Sequence, residues 1–293
     1  MFIVFGALGR KRTCDPQTKN LVLYPTEQQV HYLYNLIKLS LILIILKMKK
    51  DGWTFGIITD GHHGSRVYEI IESINKQKIE NYEILIIGDN ERNYKNKDNI
   101  IFIDFDRENN WDTSKKQKFP ISVKKNLITK KSNYEKICFL HDYILLDNNW
   151  YSGVCKFEKE NSWGIFTNKI YSIDKLRVLD WVIINHPLFY NKATLIPYYE
   201  RLTKYQFIPG YYWCAKKYIM QSYPLNEDLL WGEQEDIEWS KRVRLISPFL
   251  FNPHSSVRFL KEKDGVWCRN NKRNRNFKIR SNLAKLLFKL KIL

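Results

Sequence analysis

Apolar residues recur in two rhythms along this chain. Residues 55–59, 82–87 and 100–105 are short runs rich in isoleucine and phenylalanine, each ending at or just before polar or turn-forming residues, as strands buried on both faces do. Behind Ser65, Val67, Ile70, Ile71 and Ile74 fall at helical spacing with Glu69 and Glu72 turned outward, which predicts an amphipathic helix. A fourth strand is expected over residues 137–140, and Lys124-Lys125-Asn126 lies on a helix before it. Strand-helix alternation of this kind predicts an α/β fold with a mixed, mainly parallel sheet flanked by helices. Asp60, Asp89 and His141-Asp142-Tyr143 then all stand at carboxyl ends of strands, the edge where such sheets bind ligands.

The densest chemistry lies further on, in Trp231-Gly232-Glu233-Gln234-Glu235-Asp236-Ile237-Glu238-Trp239. Gly232 permits a tight turn, and Ile237, Ser240, Lys241 and Val243 continue a helical pattern, so the acidic run falls at a helix amino end. That end favours anions and would hold Glu235 or Asp236 ionised. An ionised carboxylate in an aromatic-walled site is equipped to take a proton from a hydroxyl. The alternative is an ordinary acidic first turn with two tryptophans packed into a core.

From the strand at residues 55–59 with Asp60-Gly61 to the Trp-Gly-Glu-Gln-Glu-Asp stretch, residues 53–258 resemble family 2 type glycosyltransferases of the Rossmann-like GT-A fold. The resemblance implies an inverting transfer of sugar from a nucleotide-sugar donor, UDP-linked, to a glycan or lipid-linked hydroxyl. Asp236 would be the base and Glu235 its supporting carboxylate. Asp60, Asp89, Lys125, Asn126, Asp142, Gly210 and Tyr211 would contact the donor, and Trp231 and Gly232 the acceptor. Where the family carries Asp-x-Asp, this chain has His141-Asp142-Tyr143. Asp142, His141 and His254 are accordingly the expected ligands of Mn²⁺ or Mg²⁺, the imidazoles favouring Mn²⁺, with Asp147 acting through water. Turn chemistry at Asp60 and Asp89 and a solvated basic face at Lys124-Lys125 are the structural alternatives. Residues 168–208, with Arg177, Asp180, Trp181, His186, Pro187 and Tyr198-Tyr199-Glu200-Arg201, break the alternation and either shape the acceptor side or build core.

Composition narrows the partners. The 293 residues are 44% hydrophobic and 15% aromatic, enough for a core, and 48 basic against 31 acidic residues leave a net charge of +17, which points to anionic partners. A basic, aromatic chain also fits a catalytically inactive GT-A-like module binding anionic glycan or nucleic acid. Carboxylates gathered at strand ends would repel nucleic acid, and favour the enzyme. Five scattered cysteines without a Cys-x-x-Cys pair disfavour zinc or a disulfide framework and fit a cytoplasmic protein.

Three segments are expected: a non-catalytic leader at 1–47, a catalytic domain at 48–260 and a basic tail at 261–293. The leader reads as spurious translation ahead of Met48; its apolar run, residues 39–46, is shorter than the roughly 20 residues that span a bilayer, and an interfacial anchor over 36–46 is the other reading. In the tail, eleven basic and two acidic residues surround Ile279, Leu283, Leu286, Leu287 and Leu290 at helical spacing. Such a helix either lies peripherally on an anionic membrane or packs against the catalytic domain.

Overall fold

The computed structural model describes residues 32, 34–38, 51–60, 64–88, 99–105, 119–187, 193–261, 283 and 286. Asp89, Gly61, the apolar run 39–46 and nearly all of the tail lie outside them. The chain forms two compact units, Met1–Met48 and Lys49–Leu293. In the first, residues 32 and 34–38 are helical. Among the described residues no helix is long and apolar enough to cross a membrane.

In the second unit the chain runs β1 (Trp53–Ile58), α1 (Gly64–Asn75), β2 (Tyr82–Gly88), β3 (Ile100–Asp104), α2 (Ile121–Lys131), β4 (Lys136–His141), β5 (Ile144–Leu146), α3 (Trp150–Glu160) and β6 (Ile165–Tyr171). The two-residue strands β7 (Val182–Ile183), β8 (Thr194–Leu195) and β9 (Gln206–Phe207) follow, then β10 (Tyr212–Lys216), α4 (Lys217–Ser222), α5 (Glu235–Val243) and β11 (Phe249–Phe259). The main sheet has eight strands in the order β3-β2-β1-β4-β10-β6-β11-β5, and β8-β7-β9 form a small second sheet.

All six residues of β1 are buried, the mark of a parallel strand covered on both faces. It pairs in parallel with β2 and β4. α1 covers it with Val67, Ile70, Ile71 and Ile74, all buried, as the spacing requires. α2 comes closest at Gly56, where a Cβ would stand 2.4 Å from the Ile128 side chain. A larger residue there would displace the Ile128 side chain.

Two strands run against the others. β10 is antiparallel to both β4 and β6, and β5 is antiparallel to β11. The start of β10 therefore lies at the same edge as the ends of β1 and β4. Strand order also reverses there, since β2 and β3 lie to one side of β1 and β4 to the other. That reversal opens the crevice in which open α/β sheets hold ligands.

The irregular segment after β6 sends part of its side chains into the interior. Asp180, Trp181 and His186 are buried; Asp180 accepts from Arg177 Nε at 2.8 Å and from Tyr198 OH at 2.7 Å. Tyr198 stacks on Phe251 with centroids 4.1 Å apart. Tyr199 alone among the aromatics named in this segment is strongly exposed. Asp180, Trp181 and His186 thus build core, in a stretch that its composition also suited to sugar contact.

Candidate active site

Thr59 follows β1 and Asp142 follows β4, the two strands being neighbours in register. Their side chains meet: Thr59 Oγ1 donates to Asp142 Oδ2 at 2.9 Å. Lys124 Nζ, fully buried on α2, donates to the Thr59 carbonyl at 3.0 Å and stands over the Phe119 ring, 4.2 Å from its centroid. Asp60 is the next residue along, partly exposed. From the sequence Thr59 is merely a strand terminus. No pattern in the residues announces its bond to a carboxylate 83 positions away.

His141 and Tyr143 flank Asp142. His141 Nδ1 lies 3.0 Å from Tyr143 OH, and the His141 backbone N–H donates to the Tyr211 carbonyl at 3.1 Å. Burial, then the charges of Asp142 and Glu235, push the Tyr143 phenol well above its ordinary range, so it stays neutral. Tyr211, expected to contact the donor, turns its ring inward. The ring is buried, 5.2 Å from Phe259, and its hydroxyl donates to the Leu179 carbonyl. Its contribution to the edge is backbone.

Gly210, just before β10, joins this group to α5. Its N–H donates to Asp236 Oδ2 at 2.7 Å, while its carbonyl accepts from Lys125 Nζ at 2.8 Å. Lys125 also stands 3.7 Å from Glu235 Oε1, with both side chains nearly sealed from solvent. The basic pair Lys124-Lys125 is therefore not a solvated face; α2 turns both lysines inward, and only Lys130 and Lys131 at its end are exposed. Asn126, expected near the donor, spends its amide on the chain itself, bonding Leu225 O at 2.9 Å, Leu225 N at 3.0 Å and Glu227 Oε1 at 2.8 Å.

The acidic stretch folds as its residues demand. Gly232 has φ +86° and Gln234 φ 63°, and Glu233 closes the turn by accepting the Leu230 N–H at 3.0 Å. The two indoles separate: Trp231 is 55% exposed, whereas Trp239 is buried and donates to Tyr223 O at 2.7 Å. Glu235 is buried beside Lys125; Asp236 is partly exposed as a residue, but its carboxylate is taken up by the Gly210 and Ile237 N–H groups.

The helix amino end was expected to dominate the charge state of Asp236, and Ile237 N–H does donate to its Oδ1 at 2.8 Å. Burial wins nonetheless. It pushes the Asp236 carboxyl up to about 6, Glu235 adding in the same direction, while Lys125 and the Gly210 and Ile237 donors pull down. At neutral pH Asp236 is still ionised and is a stronger base than an ordinary aspartate.

The expected metal set does not assemble. His254 lies on β11, with Nε2 3.0 Å from Glu160 Oε2 and its backbone N–H on Asn252. Asp147 accepts the Ser256 hydroxyl at 2.6 Å. Among the described residues no three His, Cys, Asp or Glu side chains gather where they could hold a metal ion. Asp142 and His141 remain adjacent, Asp142 accepting from Thr59 and His141 lying against Tyr143, so the described side chains do not by themselves fit a protein-held divalent cation.

No family model matches this chain and no curated protein sequence does. Solved structures resemble it instead. GalNAc-T7 with UDP, GalNAc and Mn²⁺ superposes with a TM-score of 0.51 at 14% identity, over 76% of this chain and 45% of that one. S. aureus TarS 1–349 in complex with UDP-GlcNAc does so at 0.50 and 11%, over 80% and 66%. The fold is GT-A. The chain spans only about half to two thirds of the length of those two chains, and at such identities the likeness is one of fold. Within the GT-A sheet, Thr59, Asp142 and Gly210 sit at the edge where β1, β4 and β10 converge, and α5 brings Asp236 to it.

Proposed function

We propose that this protein is an inverting glycosyltransferase that moves a sugar from a uridine-diphosphate donor to a hydroxyl of a glycan or lipid-linked acceptor. The observation that carries the reading is Asp236: a partly exposed residue at the start of α5, its carboxylate fixed by Gly210 N–H at 2.7 Å, beside the sheet edge that holds Asp142. The donor lies along that edge, against Asp60 and Asp142, carboxylates suited to accepting hydrogen bonds from a base N–H and ribose hydroxyls, with Asp89 assigned to the same role from the sequence alone. GalNAc-T7 with UDP and TarS with UDP-GlcNAc support a donor of this class.

Asp236 takes the proton of the acceptor hydroxyl as its oxygen attacks the anomeric carbon. The bond to the nucleotide breaks on the opposite face, and the diphosphate leaves with the electron pair. Trp231, exposed at the turn before α5, offers a face on which an acceptor sugar stacks. The proton transfer and the positioning use the chain's own groups. A divalent cation, as carried by GalNAc-T7 with its UDP, would have to draw most of its ligands from the donor phosphates and water. Peripheral membrane contact through the basic tail belongs to the same reading, since it would bring a lipid-linked acceptor within reach.

A panel of nucleotide sugars tests the proposal by thermal stabilisation and by slow hydrolysis. A uridine-diphosphate sugar should raise the melting temperature and be hydrolysed. If no nucleotide sugar binds, with or without Mn²⁺, the enzymatic reading fails.

A further inference from the structure

We infer that Lys125 is a positioning residue, an internal counter-charge that fixes Gly210 and the Glu235–Asp236 pair, and is not a ligand of the donor phosphates. The inference rests on the reading of Asp236 as the base. A lysine on the helix before β4 could equally be offered to a diphosphate, and geometry separates the two roles.

The ammonium of Lys125 is almost wholly enclosed, at 1% exposure. It donates to Gly210 O at 2.8 Å, stands 3.7 Å from Glu235 Oε1, and rests over the Trp213 ring, 4.6 Å from its centroid. Gly210 is where the three charges converge. A methyl group built on it would lie 3.0 Å from Glu235 Oε1, 3.1 Å from Lys125 Nζ and 3.4 Å from Asp236 Cβ. From one side of this residue Lys125 holds the carbonyl, and from the other the N–H holds Asp236.

The charges explain why a cation belongs here. Glu235 and Asp236 are adjacent carboxylates in a poorly solvated setting, and without compensation one would take up a proton. Lys125 and Glu235 are the charged side chains that act on Asp236, with the Gly210 and Ile237 N–H groups adding partial charge. An enclosed ammonium acts on such a pair more strongly than one in water. Asp236 can then remain a carboxylate while keeping a proton affinity high enough to act as base.

The test is the carboxyl titration of Asp236, followed by carbon NMR in the full chain, alongside calorimetric affinity for UDP. Lys125→Met should raise the Asp236 midpoint from about 6 by a unit or more and leave the UDP dissociation constant within about threefold. Lys125→Arg should restore most of the midpoint. An unmoved midpoint in Lys125→Met overturns the inference, and a tenfold loss of UDP affinity with an unmoved midpoint assigns Lys125 to the phosphates instead. If Lys125→Met does not fold, Glu235→Gln gives the converse reading: the Asp236 midpoint should fall, and one that stays put counts against the charge network. The titration needs no ligand, so absence of UDP binding to the parent chain would defeat the functional reading and leave this one to be decided by NMR.

Discussion

At the scale of single residues, two carboxylates that look equivalent in the sequence are divided by their surroundings. Glu235 is enclosed against Lys125, while Asp236 is held by the Gly210 and Ile237 N–H groups with a carboxyl raised to about 6. The sign of the pH effect follows from that value. The base form exists above about 6 and is lost as pH falls through it, so transfer should be flat near pH 7.5 and drop about tenfold per unit below pH 6, as a rate profile would record. Asp236→Asn keeps the shape and loses the proton acceptor. Transfer should fall about 10² to 10⁴-fold with donor affinity near the parent value; normal transfer by this variant, with Glu235→Gln inactive, would hand the role to Glu235. Gly210→Ala places a methyl 3.0 Å from Glu235 Oε1. The crowding should cost about 1–3 kcal/mol in urea melts and lower transfer by up to about 10²-fold, because a shift of about 1 Å at a base is costly.

At the scale of elements, α2 is the member on which the site depends. It carries Lys124 to the end of β1 and Lys125 to Gly210, and it pins the approach to α5 at three points. Asn126 bonds both backbone groups of Leu225, Ser122 Oγ donates to Leu229 O at 3.0 Å, and Phe119 O, just before the helix, accepts the Trp231 N–H at 3.0 Å. Asn126→Ala leaves the Leu225 groups to find other partners. It should destabilise by about 1–3 kcal/mol in urea melts and speed amide exchange selectively over residues 225–231. Uniform exchange across the chain would show instead that the segment is held by its own packing. The sequence places α2 correctly but leaves its lysines open between a donor contact and a solvated face, since a run of lysines also reads as solvated. The aromatic rings of Phe119 and Trp213 that receive the ammonium groups come from outside the helix.

For the whole molecule, Met1–Met48 and Lys49–Leu293 are separate compact units, and every strand among the described residues lies in the second. A chain beginning at Met48 should therefore fold and melt at an unchanged temperature by calorimetry; loss of soluble protein would mean that residues 39–46 complete a core. Local pattern alone was enough to set out the first four strands, the helices between them and the acidic helix start. The strands ending near Thr59, Gly88 and His141, the helix with Val67, Ile70, Ile71 and Ile74 on one face, and the turn into α5 at Gly232 are all written in local periodicity and turn chemistry. Those properties depend on neighbours within a few positions, and they place Asp60, Asp142 and Asp236 at element ends. The rest was decided by tertiary structure. That β10 runs against β4, so that Gly210 arrives beside Asp142's edge and accepts Lys125 from 85 residues away, is a choice of strand direction that no local pattern encodes. The same holds for His254, drawn to Glu160 rather than to Asp142, and for Asp236, whose proton affinity is raised by burial and by a neighbour's charge. Spacing fixes which residues share an element. Desolvation and long-range pairing, which act only once the sheet has closed, fix what those residues can do.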